Sequence, residues 1–319
     1  MSILISLITV LFLTSCGNPE SGTLQSVGSG VIYGEGETAD NRADASIEEI
    51  LKNNNILHDE ATMLLELSKS TAGMVQIGKH VTAFPDGSVI AKKMLKTFKE
   101  VRTLCEDERF SKQFSLPVCT GFLVAPDLLV TAGHCVNKTN YHNRAWIFGY
   151  DQSRATDSLP TFKAEFVYHT KEVLEWKEDR INKSDFALVR LDRAVTIADP
   201  LKFRSYGEAS VGTELAIIGH PNGLPTKISA DAQILENKPN AYKTNLDSFG
   251  GNSGSPVFNL YTGEVEGILI SGATDFLPNF TRGCVEVNRK KDAEGAEYVA
   301  KISLVNLAKY IEKDFASNF

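Results

Sequence analysis

The sequence predicts an all-β protein. Short apolar runs recur along most of the chain, clusters of turn residues separate them, and helical periodicity is confined to stretches near the two ends. At 319 residues and 42% hydrophobic content, the chain is long enough to bury a large core.

The apolar runs are Met74 to Val81, Thr120 to Val124, Leu128 to Ala132, Ala145 to Phe148, Phe186 to Leu191, Glu214 to Gly219, Pro256 to Asn259 and Val265 to Ser271. Each has the length of a strand. Pro126-Asp127 separates the second run from the third, so those two read as a hairpin. Residues 46 to 68 place Ile47, Ile50 and Leu51, then Met63, Leu64, Leu65 and Leu67, at helical spacing. Ser303 to Phe315 stacks Leu304, Leu307, Ala308 and Ile311 on one face and reads as a closing helix. Trp146 and Trp176 read as core or strand-face residues. The formal charge of −7 offers no basic surface to a phosphate backbone, so no nucleic-acid partner is expected.

Ile3 to Leu13 is too short to span a membrane and reads as the apolar core of a secretory signal. It runs into Leu13-Thr14-Ser15-Cys16, which resembles the bacterial lipobox, where the chain is cut before the cysteine and its thiol carries a lipid. No Lys or Arg precedes the apolar core, a departure from that pattern, and an ordinary cleaved signal is the alternative. Either reading exports the chain, to the periplasm as an outer-membrane lipoprotein or into the medium after processing, with Cys16 its only membrane anchor. The expected organisation is a signal at 1–16, a tether or pro-segment at 17–69 and a main domain at 70–319.

Two motifs carry chemistry. Gly250-Gly251-Asn252-Ser253-Gly254-Ser255-Pro256 surrounds a serine with glycines, and Thr131-Ala132-Gly133-His134-Cys135 lies far upstream. A serine hydroxyl is a poor nucleophile at neutral pH until an imidazole takes its proton. Sharp bending at Gly250, Gly251 and Gly254 can turn the amides of Gly251 and Ser253 toward one point, where an acyl-transfer oxyanion would sit. The pattern is not the Gly-x-Ser-x-Gly elbow of α/β-hydrolases, because Ser255 stands two residues after Ser253.

Together the motifs resemble those of the trypsin/chymotrypsin-like serine peptidases, especially the bacterial branch that includes the glutamyl endopeptidases. The resemblance runs from about Ser70 to the C-terminus. It implies two packed six-stranded antiparallel β-barrels with a C-terminal helix, here with a partly helical N-terminal extension. The implied activity is that of a serine endopeptidase acting on protein or peptide substrates through an acyl-enzyme. No metal or organic cofactor is expected, and the chain is expected to be a monomer. Chain order in the family is His, Asp, Ser, and five aspartates lie in the interval: Asp151, Asp157, Asp179, Asp185 and Asp192. Asp185 heads the run Phe186 to Leu191, where the family keeps its acid. The implied triad is therefore His134, Asp185 and Ser253, with the Gly251 and Ser253 amides as oxyanion hole. A binding or regulatory protein on the same fold, without turnover, is the alternative of a different class.

Setting Cys16 aside leaves Cys105, Cys119, Cys135 and Cys284, an even set suited to an oxidising compartment. Four cysteines allow three connectivities, and the resemblance selects Cys119–Cys135 with Cys105–Cys284. No pair has Cys-x-x-Cys spacing, which argues against metal. The other histidines, His58, His80, His142, His169 and His220, lack a partner motif, and His220 reads as a turn residue near the cleft.

Specificity is less sharply written. The resemblance puts Asp247 at the base of the primary pocket, with Ser248, Leu269, Ile270 and Gly272 lining it. An aspartate there would select Lys or Arg. Glutamyl endopeptidases carry one at the same offset while reading acidic side chains through a histidine, and Leu269 stands where that histidine would fall. Basic, acidic or other specificity, and an Asp247 that only braces its loop, stay open. Asn252 occupies the place of the aspartate that pairs with a new N-terminus in chymotrypsin-like zymogens. Cleavage near Gly30–Val31 and a permanent tether are the two readings of the N-terminal extension.

Overall fold

The computed structural model describes residues 45–46, 58–151, 153, 155 and 157–311. The signal, Cys16 and the Val31-Ile32 segment lie outside the described residues. In chain order the first elements are β1 (Ala45–Ser46), α1 (His58–Ser68), β2 (Thr71–Gln76), β3 (Val81–Ala83), β4 (Val89–Ala91) and α2 (Phe98–Arg102). Next come β5 (Cys119–Ala125), β6 (Leu128–Thr131), β7 (Arg144–Phe148), β8 (Thr161–Phe162), β9 (Val167–Asp179) and β10 (Ser184–Leu191). The second half holds β11 (Glu214–Gly219), β12 (Lys227–Asn237), β13 (Ala241–Thr244) and β14 (Pro256–Asn259). It ends with β15 (Val265–Ser271), β16 (Phe276–Asn279), β17 (Cys284–Val287) and β18 (Glu297–Lys301).

Two closed antiparallel barrels result. Strands β10-β6-β5-β2-β7-β9 form the first, and β12-β11-β14-β15-β18-β13 the second, which closes where the far half of β12 pairs with β13. Closure removes the sheet edges that an open sheet would leave unpaired. β13 does not reach the near end of β12, and β1 pairs there, Ala45 opposite Ile228.

Apolar alternation fills the space between the barrels. A single core includes Phe122, Trp146, Phe148, Tyr168 and Leu188 from the first barrel and Ile218, Phe258 and Ile268 from the second. Gly121 admits the Trp146 ring, since a Cβ there would stand 2.6 Å from it. The Trp146 indole N–H donates to Thr170 Oγ1 at 2.9 Å, so burial leaves no orphan donor. Leu215, Ile217, Ile234, Tyr242, Val257, Leu269 and Val299 form a further core of the second barrel.

Several elements differ from expectation at their boundaries. β2 stops at Gln76 because Gly78, at φ +80°, turns the chain, and Val81 begins β3. α1 packs on the core through buried Leu64, with Leu65 and Leu67 alongside, while residues 47–57 lie outside the described residues. The closing helix does not begin at Ser303. A 3-10 turn occupies Ile302–Leu304, and helix is described over 308–311 only. Val305 and Leu307 are both buried, and residues two apart share a face in extended chain but not in a helix.

Two disulfides complete the frame. Cys119–Cys135 spans 16 residues, from the start of β5 to the residue after His134. Cys105–Cys284 spans 179 and ties the segment after α2 to the β16–β17 hairpin. Leu104 and Val285 form a parallel bridge beside it.

Candidate active site

Gly133 sets the first half of the site. A Cβ at this position would lie 2.0 Å from the Lys177 carbonyl and 2.9 Å from both Asp185 Oδ1 and the Phe186 carbonyl, so only glycine lets β9 and β10 approach. Trp176 holds the same turn, its indole donating to the Gly133 carbonyl at 2.8 Å. Asp185, 3% exposed near the start of β10, then meets His134 twice. Oδ1 accepts the His134 backbone N–H at 3.0 Å, and Oδ2 lies 2.7 Å from Nδ1. A carboxylate only accepts, so this contact assigns the imidazole proton to Nδ1 and leaves Nε2 as the basic nitrogen.

Ser253 comes from the second barrel, in the turn between β13 and β14. Its carbonyl accepts the Thr120 N–H at 2.8 Å and lies 3.7 Å from Cys135 Sγ, beside the His134 segment. Gly254, at φ +89°, makes this possible. A Cβ there would stand 2.1 Å from the Thr120 carbonyl, 2.3 Å from Thr131 Oγ1 and 2.9 Å from the Ala132 nitrogen. The serine turn therefore rests directly on the backbone that leads into His134.

Peptide geometry orients the Gly251 amide, one of the two expected to form an oxyanion hole. The Gly250 carbonyl accepts the Asn222 N–H at 2.5 Å, and in a trans peptide the next N–H, that of Gly251, points the opposite way. Gly251 lies at φ +102°, where a Cβ would stand 2.6 Å from the His220 carbonyl, so glycine is required. The Gly251 carbonyl is held by Thr120 Oγ1 at 3.0 Å. Among the described residues neither the Gly251 nor the Ser253 amide has an acceptor. Two donors without partners in one turn suit an anionic oxygen.

A cavity of about 380 Å³ opens beside the pair, lined by His134, Asp185, Ile270, Ser271, Arg180 and Lys183. Of the expected pocket residues, Ile270 lies here and Leu269 faces the second-barrel core. Asp247 and Ser248 are buried, and Ser248 Oγ donates to Glu297 Oε2 at 3.1 Å. The Glu297 carboxylate also accepts from Ala273 N at 3.3 Å and fills the space over Gly272, where a Cβ would stand 1.6 Å from Oε2. Sequence reading missed Glu297, since an acid opening the short run Glu297–Lys301 gives no local sign of what it faces.

His220 is wholly buried at the turn after β11, its Nδ1 3.1 Å from the Leu224 carbonyl, and burial pushes it down to about 4. It is neutral at physiological pH. Cys119, His134 and Cys135 bring potential metal ligands within 4.8 Å, the sole such cluster among the described residues. Both thiols are consumed by their disulfide, so the set does not fit a metal ion.

Two barrels that bring a His–Asp pair to a serine turn define the chymotrypsin-like class of fold. Residues 119–268 match the family model described as a trypsin-like peptidase domain. It is 29% identical over 151 residues to the glutamyl endopeptidase of Bacillus licheniformis, covering 45% of this chain and 46% of the relative. It is 27% identical over 152 residues to an extracellular metalloprotease of Bacillus subtilis, covering 45% and 47%. A solved Glu endopeptidase in complex with MPD aligns at TM-score 0.44 and 18% identity, over 76% of this chain and 97% of that one. The chain spans about half the length of the curated relatives it matches.

Proposed function

We propose that the protein is an exported serine endopeptidase. Ser253 attacks the scissile carbonyl while His134 Nε2 takes its proton, the Gly251 and Ser253 amides hold the oxyanion, and a tetrahedral intermediate collapses to an acyl-enzyme. The protonated His134 gives its proton to the leaving amine, and water then repeats the sequence in reverse. Asp185 keeps the proton of neutral His134 on Nδ1 and stabilises the imidazolium. The observation that carries this reading is the 2.7 Å His134–Asp185 contact beside a serine turn whose two amides lack acceptors. The test is covalent labelling by a fluorophosphonate probe. Wild type should label, and Ser253→Ala and His134→Ala should not; a wild type that stays unlabelled moves the chain to the non-catalytic class.

The finer reading is cleavage after Lys or Arg. Asp247 is buried, and its neighbour Ser248 reaches a second buried carboxyl group, Glu297, so two acidic side chains stand in this wall, while the position where glutamyl endopeptidases carry their histidine is Leu269. Asp247→Ser should abolish cleavage after Arg and leave probe labelling intact, and unchanged Arg cleavage refutes the assignment. Lipidation at Cys16, with release by cutting near Gly30–Val31, is proposed for the extension before the domain at 70–319. An active form whose sole N-terminus is Cys16 overturns that release.

A further inference from the structure

We infer that Arg102 is a positioning residue for the oxyanion hole, acting through Asn222 on the Gly250–Gly251 peptide. The inference deepens the acyl-transfer reading and rests on it. Arg102 Nε and Nη2 both donate to Asn222 Oδ1, at 3.1 and 2.9 Å, across 120 residues of sequence. Asn222 lies at φ 52°, ψ 23°, the left-handed region, and this conformation accompanies its backbone N–H bond to the Gly250 carbonyl. A non-glycine residue holds that region only where its surroundings over-determine it. Arg102 grips the side chain, and Ser115 Oγ bonds the Asn222 carbonyl.

What Asn222 holds is the group that decides whether the hole exists. With the Gly250 carbonyl tied back, the Gly251 N–H faces the cleft; a rotation of that one peptide would exchange donor for acceptor and repel an oxyanion. Glycine on both sides of the peptide leaves little intrinsic resistance to the rotation. Resistance is supplied from outside the two barrels. The Arg102 guanidinium lies 5.3 Å from the Phe276 ring centroid, Phe276 stacks on Phe249 at 5.8 Å, and the Gly250 N–H donates to Asp275 Oδ2 at 2.8 Å. Arg102 ends α2, whose first turn is fixed by a Thr97–Glu100 capping box and whose exit is tied to β17 by Cys105–Cys284. The lobe of α2, β16 and β17 thus braces the oxyanion loop from behind.

The test compares Arg102→Ala, Arg102→Lys, Asn222→Gly and the Arg102→Ala/Asn222→Gly double variant. Glycine keeps the left-handed backbone and the N–H donor at 222 and removes only the link to Arg102. Removing an oxyanion donor outright costs about 10²–10³ in kcat, so loosening one should cost roughly tenfold in kcat with KM nearly unchanged. Arg102→Lys should recover part of the loss, and the double variant should be no slower than either single one. Arg282→Ala, which breaks the exposed pair with Asp107 in the same lobe, should leave kcat at the wild-type value. Losses that multiply in the double variant, or that appear in KM alone, overturn the inference. Hydrogen exchange at residues 249–255 reads the same brace without turnover: Arg102→Ala should raise exchange there and not in β6. If Ser253→Ala removes no activity, the proposed function fails, and the exchange result alone decides the brace.

Discussion

Replacing Asp185 by Asn keeps the shape of the side chain and removes its charge and one of its two acceptors. Both carboxylate oxygens accept from His134, one from the backbone N–H at 3.0 Å and one from Nδ1 at 2.7 Å. An amide can satisfy only one of these bonds. If it keeps the backbone bond, its NH₂ faces Nδ1 and drives the imidazole proton to Nε2, the nitrogen that acts as base toward Ser253 in the proposed mechanism. Losing one charge-assisted bond should cost about 1.5–3 kcal/mol of stability. The catalytic loss should be larger. A wrong tautomer lowers turnover about 10⁴-fold, or about 5.5 kcal/mol at 1.36 kcal/mol per tenfold. The assay is the rate of fluorophosphonate labelling, run beside urea unfolding to show that the variant is folded. A folded Asp185→Asn protein that labels within about tenfold of wild type would refute the orienting role.

Burial lowers His220 to about 4, so above pH 7 it is neutral whether folded or unfolded and contributes no pH dependence. Between about 6.5 and 4 the unfolded chain binds a proton that the folded chain refuses, so stability falls with falling pH, by about 2.5 kcal/mol at pH 4.5. Urea unfolding at pH 7 and 4.5 should show a flatter dependence for His220→Gln than for wild type; equal slopes would remove His220 as the cause. Leu64→Ala empties a buried contact between α1 and the core and should cost about 2–5 kcal/mol, and a loss under 1 kcal/mol in urea would detach α1 from the cooperative unit. Removing both Cys119 and Cys135 should cost about 3 kcal/mol, as a loop of this length predicts; an unchanged unfolding midpoint against oxidised wild type would contradict it.

Local chemistry was legible in the sequence, and long-range chemistry was not. Glu214–Gly219, Pro256–Asn259 and Val265–Ser271 are strands whose apolar runs coincide with their observed bounds. Each is buried along most of its length, so composition and structure report the same thing. Val167–Asp179 is the opposite case. Its charged residues hide a thirteen-residue strand that is held by ladders to β7 and β10 while several of its side chains face solvent. The site divides the same way. Glycines at 133, 251 and 254 mark His134 and Ser253 because close backbone approach has a residue-type signature. Arg102 on Asn222 and Ser248 on Glu297 are contacts across 120 and 49 residues between ordinary polar side chains, and nothing in either neighbourhood announces them.

The joint between the barrels at Gly254 is made largely of main chain: Thr120 and Ala132 contribute backbone atoms to it, the Thr131 hydroxyl is the side-chain group beside them, and the Thr120 N–H bonds the Ser253 carbonyl. Such a seam is largely indifferent to the side chains on either side of it. The interior of each barrel can exchange one apolar set for another of equal volume, and the distance from serine to histidine is still set by a peptide resting on a peptide. Tolerance to sequence drift and precision of chemistry thereby come to rest on different atoms, with glycine at 254 the condition that keeps them separate.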